Sequence, residues 1–296
     1  MSAQQIPVPD AARAAEAPPD LTAGPVHEVL PDVAYRRLGI VNVAFLGRPG
    51  CGAGNWALVD AGLPGTAGAI REVARERFGG GRDEPCPPAC IVMTHGHFDH
   101  VGALEELAEG WDVPVLCHPA EAPYLNGSES YPPPDPAAGG GLMAWLSVLF
   151  PRGPVDVGGR LAPLDGEGGP GGEDGGGVPV PAGCGAWRWV ATPGHTRGHV
   201  SLWRASDRTL LSGDAVITTA QESAYAAATQ EPELHGPPRY FTPDWPAAAA
   251  SARRLADLEP ETLVPGHGRA LAGGPMRSAL RELADRFGEV AVPAGR

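Results

Sequence analysis

A chain of 296 residues with 43% hydrophobic content is long enough to bury a substantial core, in one large domain or two small ones. The net charge of -13 and a pI near 5.1 exclude nucleic acid as the expected partner, because phosphate binding needs a concentrated basic surface and none is present. No stretch reaches the roughly 18 apolar residues that a membrane helix needs, so the expected setting is soluble and cytoplasmic, away from membranes.

In chain order, residues 1–24 are rich in Ala, Pro and Gln, with neither a basic start nor an apolar core, and read as a disordered tail rather than a secretory signal. Residues 25–296 read as a single domain. Tyr35 to Ile40, Val41 to Leu46 and Trp56 to Asp60 predict short strands of an antiparallel meander, broken at Pro49-Gly50-Cys51-Gly52. Ala67 to Phe78 carries Ile70, Val73 and Phe78 at helical spacing and stops at Gly79-Gly80-Gly81. Cys90 to Met93 is a strand, Ala103 to Ala108 a helix, Val113 to Cys117 a strand and Ala120 to Leu125 a short helix, an alternation that implies a layered α/β architecture. Pro132-Pro133-Pro134 cannot continue a regular element. It leads into Leu142 to Phe150, apolar on nearly all sides, for which a buried core helix, a lid over an apolar substrate and a homodimer contact are the open roles. Residues 166–177 are nearly all Gly, Pro and acid and form a flexible excursion. Trp187 to Ala191, His199 to Trp203, Thr209 to Leu211 and Thr262 to Val264 are strands; Pro246 to Leu258 and Met276 to Phe287 are helices. The five cysteines, an odd number at no metal-site spacing, fit reduced thiols of a cytosol.

The chemistry concentrates in Thr94-His95-Gly96-His97-Phe98-Asp99-His100, four metal-competent residues directly after an apolar run. His95 and His97 alternate around Gly96 and project to one side of an extended turn; Asp99 and His100 reach a point further on. Imidazole suits zinc and iron, and an added carboxylate lets two cations sit together. The pattern recurs, since apolar strands empty into Gly-containing turns that present His95, His195, Asp214 and His267. Sites on α/β sheets collect at strand ends, so one fold can gather all four turns. Counting ligands assigns His95, His97 and His195 to one divalent cation, and Asp99, His100 and His267 to a second, with Asp214 between them. A water shared by two such ions loses a proton near neutral pH while the cations polarise the carbonyl under attack, which needs no serine or cysteine nucleophile.

Thr94-His95-Gly96-His97-Phe98-Asp99-His100, then Pro193-Gly194-His195-Thr196-Arg197-Gly198-His199, Ser212-Gly213-Asp214 and Pro265-Gly266-His267-Gly268, with an early Val59-Asp60-Ala61-Gly62, resemble in order the motifs of the metallo-β-lactamase superfamily. The resemblance covers about Val33 to Leu271 and implies a four-layer αββα sandwich with metals at one edge between two sheets. On that basis Asp60 orients the ligand loop, since metal-bound imidazoles hand their other N–H to a carboxylate or carbonyl. Asp214 sets the chain apart from true β-lactamases, which lack this bridging aspartate. Only 29 residues follow His267, too few for the glutathione-gripping region of glyoxalase II proteins. His97 stands where flavo-diiron oxidases carry Glu, and the acidic chain has none of the nucleic-acid-binding regions of the processing nucleases.

The expectation is therefore a hydrolase in which a metal-bridging hydroxide attacks a small ester, lactone or thioester, with zinc the leading ion and iron or manganese the alternatives. Asp99 and Asp214 serve as its catalytic acids. A mononuclear iron dioxygenase acting on persulfides, or a noncatalytic metal-binding protein, are the competing readings. His199 is assigned a structural hydrogen bond or support behind the ligands, and His118 the start of a helix or a pocket wall. Tyr225 and His235 are candidates for substrate contact in the loop from Thr218 to Phe241.

Overall fold

Short runs in which every residue is buried, such as Ala57-Leu58-Val59 and Cys90-Ile91-Val92, have apolar side chains on both faces, so each sheet they form must be covered on both sides. The chain is seen in a computed structural model that describes residues 6–8, 12, 26–79, 84–136, 138, 142–164, 176–221, 232–293 and 295. Its strands begin with β1 (Ile6–Pro7), β2 (His27–Leu30), β3 (Val33–Leu38), β4 (Val41–Leu46), β5 (Ala57–Val59), β6 (Cys90–Val92) and β7 (Val115–Cys117). They continue with β8 (Leu161–Pro163), β9 (Arg188–Ala191), β10 (Val200–Arg204), β11 (Thr209–Gly213), β12 (Glu233–Leu234), β13 (Thr262–Pro265) and β14 (Leu271–Ala272).

Strands β2 to β8 form one seven-stranded sheet in chain order, antiparallel through β5 as the expected meander and parallel from β5 to β8. The second sheet has the order β14-β13-β11-β10-β9, with only β11 and β13 parallel. The two-residue period of a strand splits its side chains between faces. Phe45, Leu58 and Ile91 turn outward into a core shared with the helices Ala67–Phe78 and Leu104–Trp111, whereas Leu46, Val59 and Val92 turn inward. Across the middle they meet Trp189, Leu202, Leu211 and Val264 of the second sheet. The outer face of that sheet, with Trp203, Leu210 and Leu263, is covered by the helices Trp245–Asp257 and Gly273–Asp285. Three separate cores fill the three gaps of an αββα stack, as the resemblance implied.

Local signals explain the helix ends. Ala67–Phe78 buries Ile70, Val73, Ala74 and Phe78 on one stripe and stops at Gly79, whose φ of 90° is open to glycine and turns the chain out of the helix. Trp245–Asp257 starts with Asp244 accepting from the Ala247 amide at 3.0 Å.

The segment Leu142 to Phe150 is not a core helix. Leu142, Trp145, Val148 and Leu149 are 56%, 68%, 59% and 75% exposed; among the described side chains of the segment, only Ala144 and Ser147 are buried. The helix Leu142–Leu146 is one and a half turns long and turns Leu142 and Trp145 outward. Phe150 nonetheless stacks on Phe98 at 4.8 Å, which anchors the segment beside the histidine loop. The tail before residue 25 and the Gly-rich run 166–177 fall largely outside the described residues. Among the described residues, no helix is long and apolar enough to cross a membrane.

Candidate metal centre

Five strand ends converge on one edge of the stack. β5 runs into Asp60, β6 into Thr94 to His100, β9 into the turn that carries His195, β11 into Asp214 and β13 into His267. The sheets are stitched there by Asn42 at the head of β4, whose side-chain amide donates to the carbonyls of Pro265 at 2.9 Å and Gly268 at 2.7 Å and so fixes the His267 turn. The His195 turn is closed by the Thr192 amide donating to the His199 carbonyl at 2.9 Å.

All seven residues expected as ligands are buried and meet. Their side-chain atoms form three overlapping groups, His95/His97/His195, His95/His100/Asp214 and Asp99/His100/His267, each with its atoms within 4.8 Å of one another. Asp214 lies between the outer two groups. Its Oδ2 is 3.1 Å from His267 Nε2, 3.4 Å from His195 Nε2 and 4.0 Å from His95 Nε2, while its Oδ1 is 3.4 Å from His100 Nε2. Asp99 Oδ2 is 3.4 Å from His267 Nε2. His97 Nδ1 and His195 Nε2 face each other at 2.9 Å.

The donor set fits cations. His95 Nε2, His100 Nε2 and Asp214 Oδ1, the atoms of the shared middle group, are buried and have no hydrogen-bond partner among the described residues. Each such orphan costs about 1–3 kcal/mol, and two imidazole nitrogens with a carboxylate oxygen are what zinc, iron or manganese would satisfy. The remaining ring nitrogens are occupied from behind. His100 Nδ1 meets Asp60 Oδ2 at 2.8 Å, His267 Nδ1 the Ile40 carbonyl at 2.7 Å, and His195 Nδ1 the Thr242 hydroxyl at 3.1 Å. Asp60 also accepts from the Thr94 amide and hydroxyl, both at 2.8 Å, and so bridges the first and last parts of the histidine loop.

Electrostatics divide the centre. Burial, reinforced by neighbouring histidines, pushes His95 and His195 well below the ordinary imidazole value and His97 down to about 3. Burial acts the same way on His100 and His267, but Asp214 with Asp60, and Asp214 with Asp99, outweigh it and hold both above that value. Against its own burial, Asp214 is kept well below the usual carboxylate range by His267 and His100; burial raises Asp99. Burial thus favours neutral rings on the His95/His97/His195 side, and the carboxylates favour charged rings on the other.

The other sequence candidates separate. His199 stands behind Asp214, accepting from its amide at 2.9 Å through Nε2 while Nδ1 meets the Thr192 hydroxyl at 2.8 Å. His118 accepts from the Ala120 amide at 3.1 Å ahead of a short helix. His235 pairs with Glu233 at 3.4 Å and is not among the residues lining the cavity beside the centre. Tyr225 lies outside the described residues. That cavity, about 690 Å³, opens onto His97 and His195 and is walled by Tyr124, Tyr131, Tyr240, Phe241 and Trp245, with Arg197 at its lining. Sequence reasoning missed Tyr131, Phe241 and Glu121. Phe241 and Tyr131 pack on His97 with ring centres 4.6 and 4.5 Å away. Glu121 is fully buried and touches the turns on both sides of the cavity.

Comparison with known proteins agrees with this geometry. The family model for the metallo-beta-lactamase superfamily matches residues 36–267. The chain is 47% identical over 251 residues to the probable metallo-hydrolase YflN of Bacillus subtilis, covering 85% of this chain and 89% of that one. It is 25% identical over 178 residues to a hydroxyacylglutathione hydrolase of Bdellovibrio bacteriovorus, covering 60% and 47% of the two chains. Among solved structures, a beta-lactamase domain protein from Burkholderia ambifaria superposes with a TM-score of 0.59 at 23% identity, covering 96% of this chain and 77% of that one. A metallo-beta-lactamase family protein from Thermus thermophilus gives 0.57 at 22% identity, with 88% and 80% covered.

Proposed function

Because the chain belongs to the metallo-β-lactamase superfamily, we propose that it is a metal-dependent hydrolase of a small ester, lactone or thioester working with two divalent cations, zinc foremost. One observation carries the reading: the three ligand groups overlap, with His95 and His100 each shared and Asp214 facing both outer sets. His95, His97 and His195 would hold one ion, Asp99, His100 and His267 the other, and Asp214 would touch both. The ions would supply polarisation of the substrate carbonyl and acidification of a water at neutral pH.

The rest is the work of the chain. Tyr131, Tyr240, Phe241 and Trp245 form a wall that takes the acyl group and keeps water from that side. Asp60, the Ile40 carbonyl and Thr242 lock the ring orientations, so that the nitrogens facing the centre do not wander. Asp99, whose side chain keeps 9% exposure against 3% for Asp214, is the carboxylate able to take the proton released by the attacking water and pass it outward.

The test is elemental analysis of the purified protein together with ester, lactone and thioester turnover before and after chelation. Two zinc ions per chain and loss of turnover on chelation, restored by zinc, are expected. Turnover that survives chelation overturns the proposal, as does a single iron with oxygen uptake on persulfides.

A further inference from the structure

We infer that Glu121 is a positioning residue that clasps together the two turns carrying His97 and His195, and thereby sets the affinity of the all-histidine ion set without governing the other. The inference rests on the two-ion reading above and adds to it a residue that none of the sequence motifs contains. Glu121 precedes the helix Ala122–Leu125 and is fully buried, yet among the described residues no arginine or histidine meets its carboxylate. Its partners are instead four donors from three separate segments. Oε1 accepts from the Thr196 hydroxyl at 2.6 Å and the Gly198 amide at 2.9 Å, one and three residues past His195. Oε2 accepts from the Gly96 amide at 3.1 Å, between His95 and His97, and from the Tyr131 hydroxyl. The Gly96 amide also donates to the Tyr131 oxygen at 2.9 Å, so Tyr131 braces the same joint from the cavity wall.

This clasp explains the glycines. Neither Gly96 nor Gly198 has a positive φ, so the chain does not need them for backbone angle. It needs them for space, because a Cβ on Gly198 would stand 2.8 Å from Glu121 Cγ and 2.9 Å from its backbone nitrogen, and one on Gly96 would stand 2.9 Å from the Tyr131 hydroxyl. The consequence falls on one side of the centre. His97 and His195, on the two clasped turns, face each other at 2.9 Å. The Asp99/His100/His267 set is held by Asp60 and the Ile40 carbonyl, neither of which touches Glu121.

Chemistry makes the substitution informative. Each carboxylate oxygen faces a backbone N–H, a donor that cannot be reversed. An amide in either orientation sets its NH2 against one of them, so Glu121→Gln cannot reproduce the clasp. The full-length chain, stripped of metal and titrated with cobalt against a competing chelator, reports each ion by its absorption. His195→Ala and His267→Ala identify which transition belongs to which set. Glu121→Gln is expected to weaken the His95/His97/His195 ion by about 10–100-fold and to leave the other within about threefold, the range for residues that orient ligands. Thr196→Val should weaken the same ion and Thr196→Ser should restore it, which keeps the inference testable where Glu121→Gln folds poorly. Equal weakening of both ions, or none in either, refutes the clasp while leaving the two-ion reading intact. A wild-type chain that binds fewer than two cobalt ions overturns that reading, and the clasp with it.

Discussion

Asp60→Asn isolates the orienting role of a single atom. Asp60 sits at φ 62°, a conformation Asn tolerates nearly as well as Asp, so the backbone is not strained by the change. The amide oxygen can still accept from the Thr94 N–H, which stands 2.8 Å from Asp60 Oδ1, and the amide nitrogen then replaces the Oδ2 that faces His100 Nδ1. That nitrogen donates where the carboxylate accepted. His100 must therefore present a bare Nδ1, which moves its proton to Nε2, the atom 3.4 Å from Asp214 Oδ1 and aimed into the centre. A protonated Nε2 cannot bind an ion. Affinity in the Asp99/His100/His267 set is expected to fall about 10–100-fold, or about 1.4–2.8 kcal/mol, while the metal-free protein loses less stability than Asp60→Ala does, because the Thr94 N–H bond is kept and the contact to His100 is remade in reverse. Asp60→Ala is the contrast, since it leaves the Thr94 amide and His100 Nδ1 unpaired at about 1–3 kcal/mol each and puts a left-handed Ala at position 60. Chelator-competition titrations and urea melts of the metal-free variants measure the two quantities. Should Asp60→Asn bind both ions as tightly as wild type, or lose as much stability as Asp60→Ala, the tautomer argument is wrong.

The same centre predicts that Asp214→Asn, which removes the one carboxylate facing both ligand sets, lowers kcat on the best ester or lactone by at least about 100-fold, as steady-state kinetics would register. Cys90, Cys117 and Cys184 are buried with thiols pushed up to about 12 by desolvation. In the unfolded chain they ionise near pH 8.5, so the folded form retains protons that the unfolded form has lost. Their stabilisation is complete below that pH and declines as pH climbs toward 12. Urea midpoints should fall between pH 8.5 and 11, less steeply in Cys90→Ala, and native protein at pH 8 should leave all three thiols unlabelled by iodoacetamide. Trp145→Ser and Leu149→Ser, at sites 68% and 75% exposed, should change the stability of the monomer by no more than about 0.5 kcal/mol in denaturant melts; a loss above 1 kcal/mol would show that the segment packs into the core.

What could be read from residues alone followed from how local the cause was. Val41–Leu46 and Ala67–Phe78 occur within the bounds their patterns predicted, because a strand-length run interrupted by Asn42 alone and an i, i+3, i+4 stripe ending in Gly carry their own instructions. β8 was missed, since Leu161-Ala162-Pro163 is short, half exposed and defined only by pairing with Val115 to Cys117, more than 40 residues back. Leu142 to Phe150 is as apolar as a core helix, and composition cannot tell a surface that packs from one that does not. The residues gathered at the strand ends were legible because a Gly beside a His or Asp marks each turn. Glu121 was not, because its partners are backbone amides and hydroxyls 25 residues before it and 10, 75 and 77 after it, and a carboxylate held by such donors has no sequence signature.

The division of charge in the centre gives the two kinds of support their reason. Asp99 and Asp214 bring negative charge to the His100/His267 side, so a cation there is drawn by Coulomb attraction in a water-poor setting and tolerates modest errors in ligand position. The His95/His97/His195 side offers neutral imidazoles, apart from the edge of Asp214, and burial holds those rings neutral. Neutral ligands attract less at a distance and depend more on arriving in the right geometry, which favours fixing their turns in advance. The chain places its buried carboxylates accordingly: Asp60 behind the ionic set, where it meets a ligand ring and raises the basicity of His100, and Glu121 behind the neutral set, where it meets backbone amides and hydroxyls of the ligand turns and holds two loops at a fixed separation.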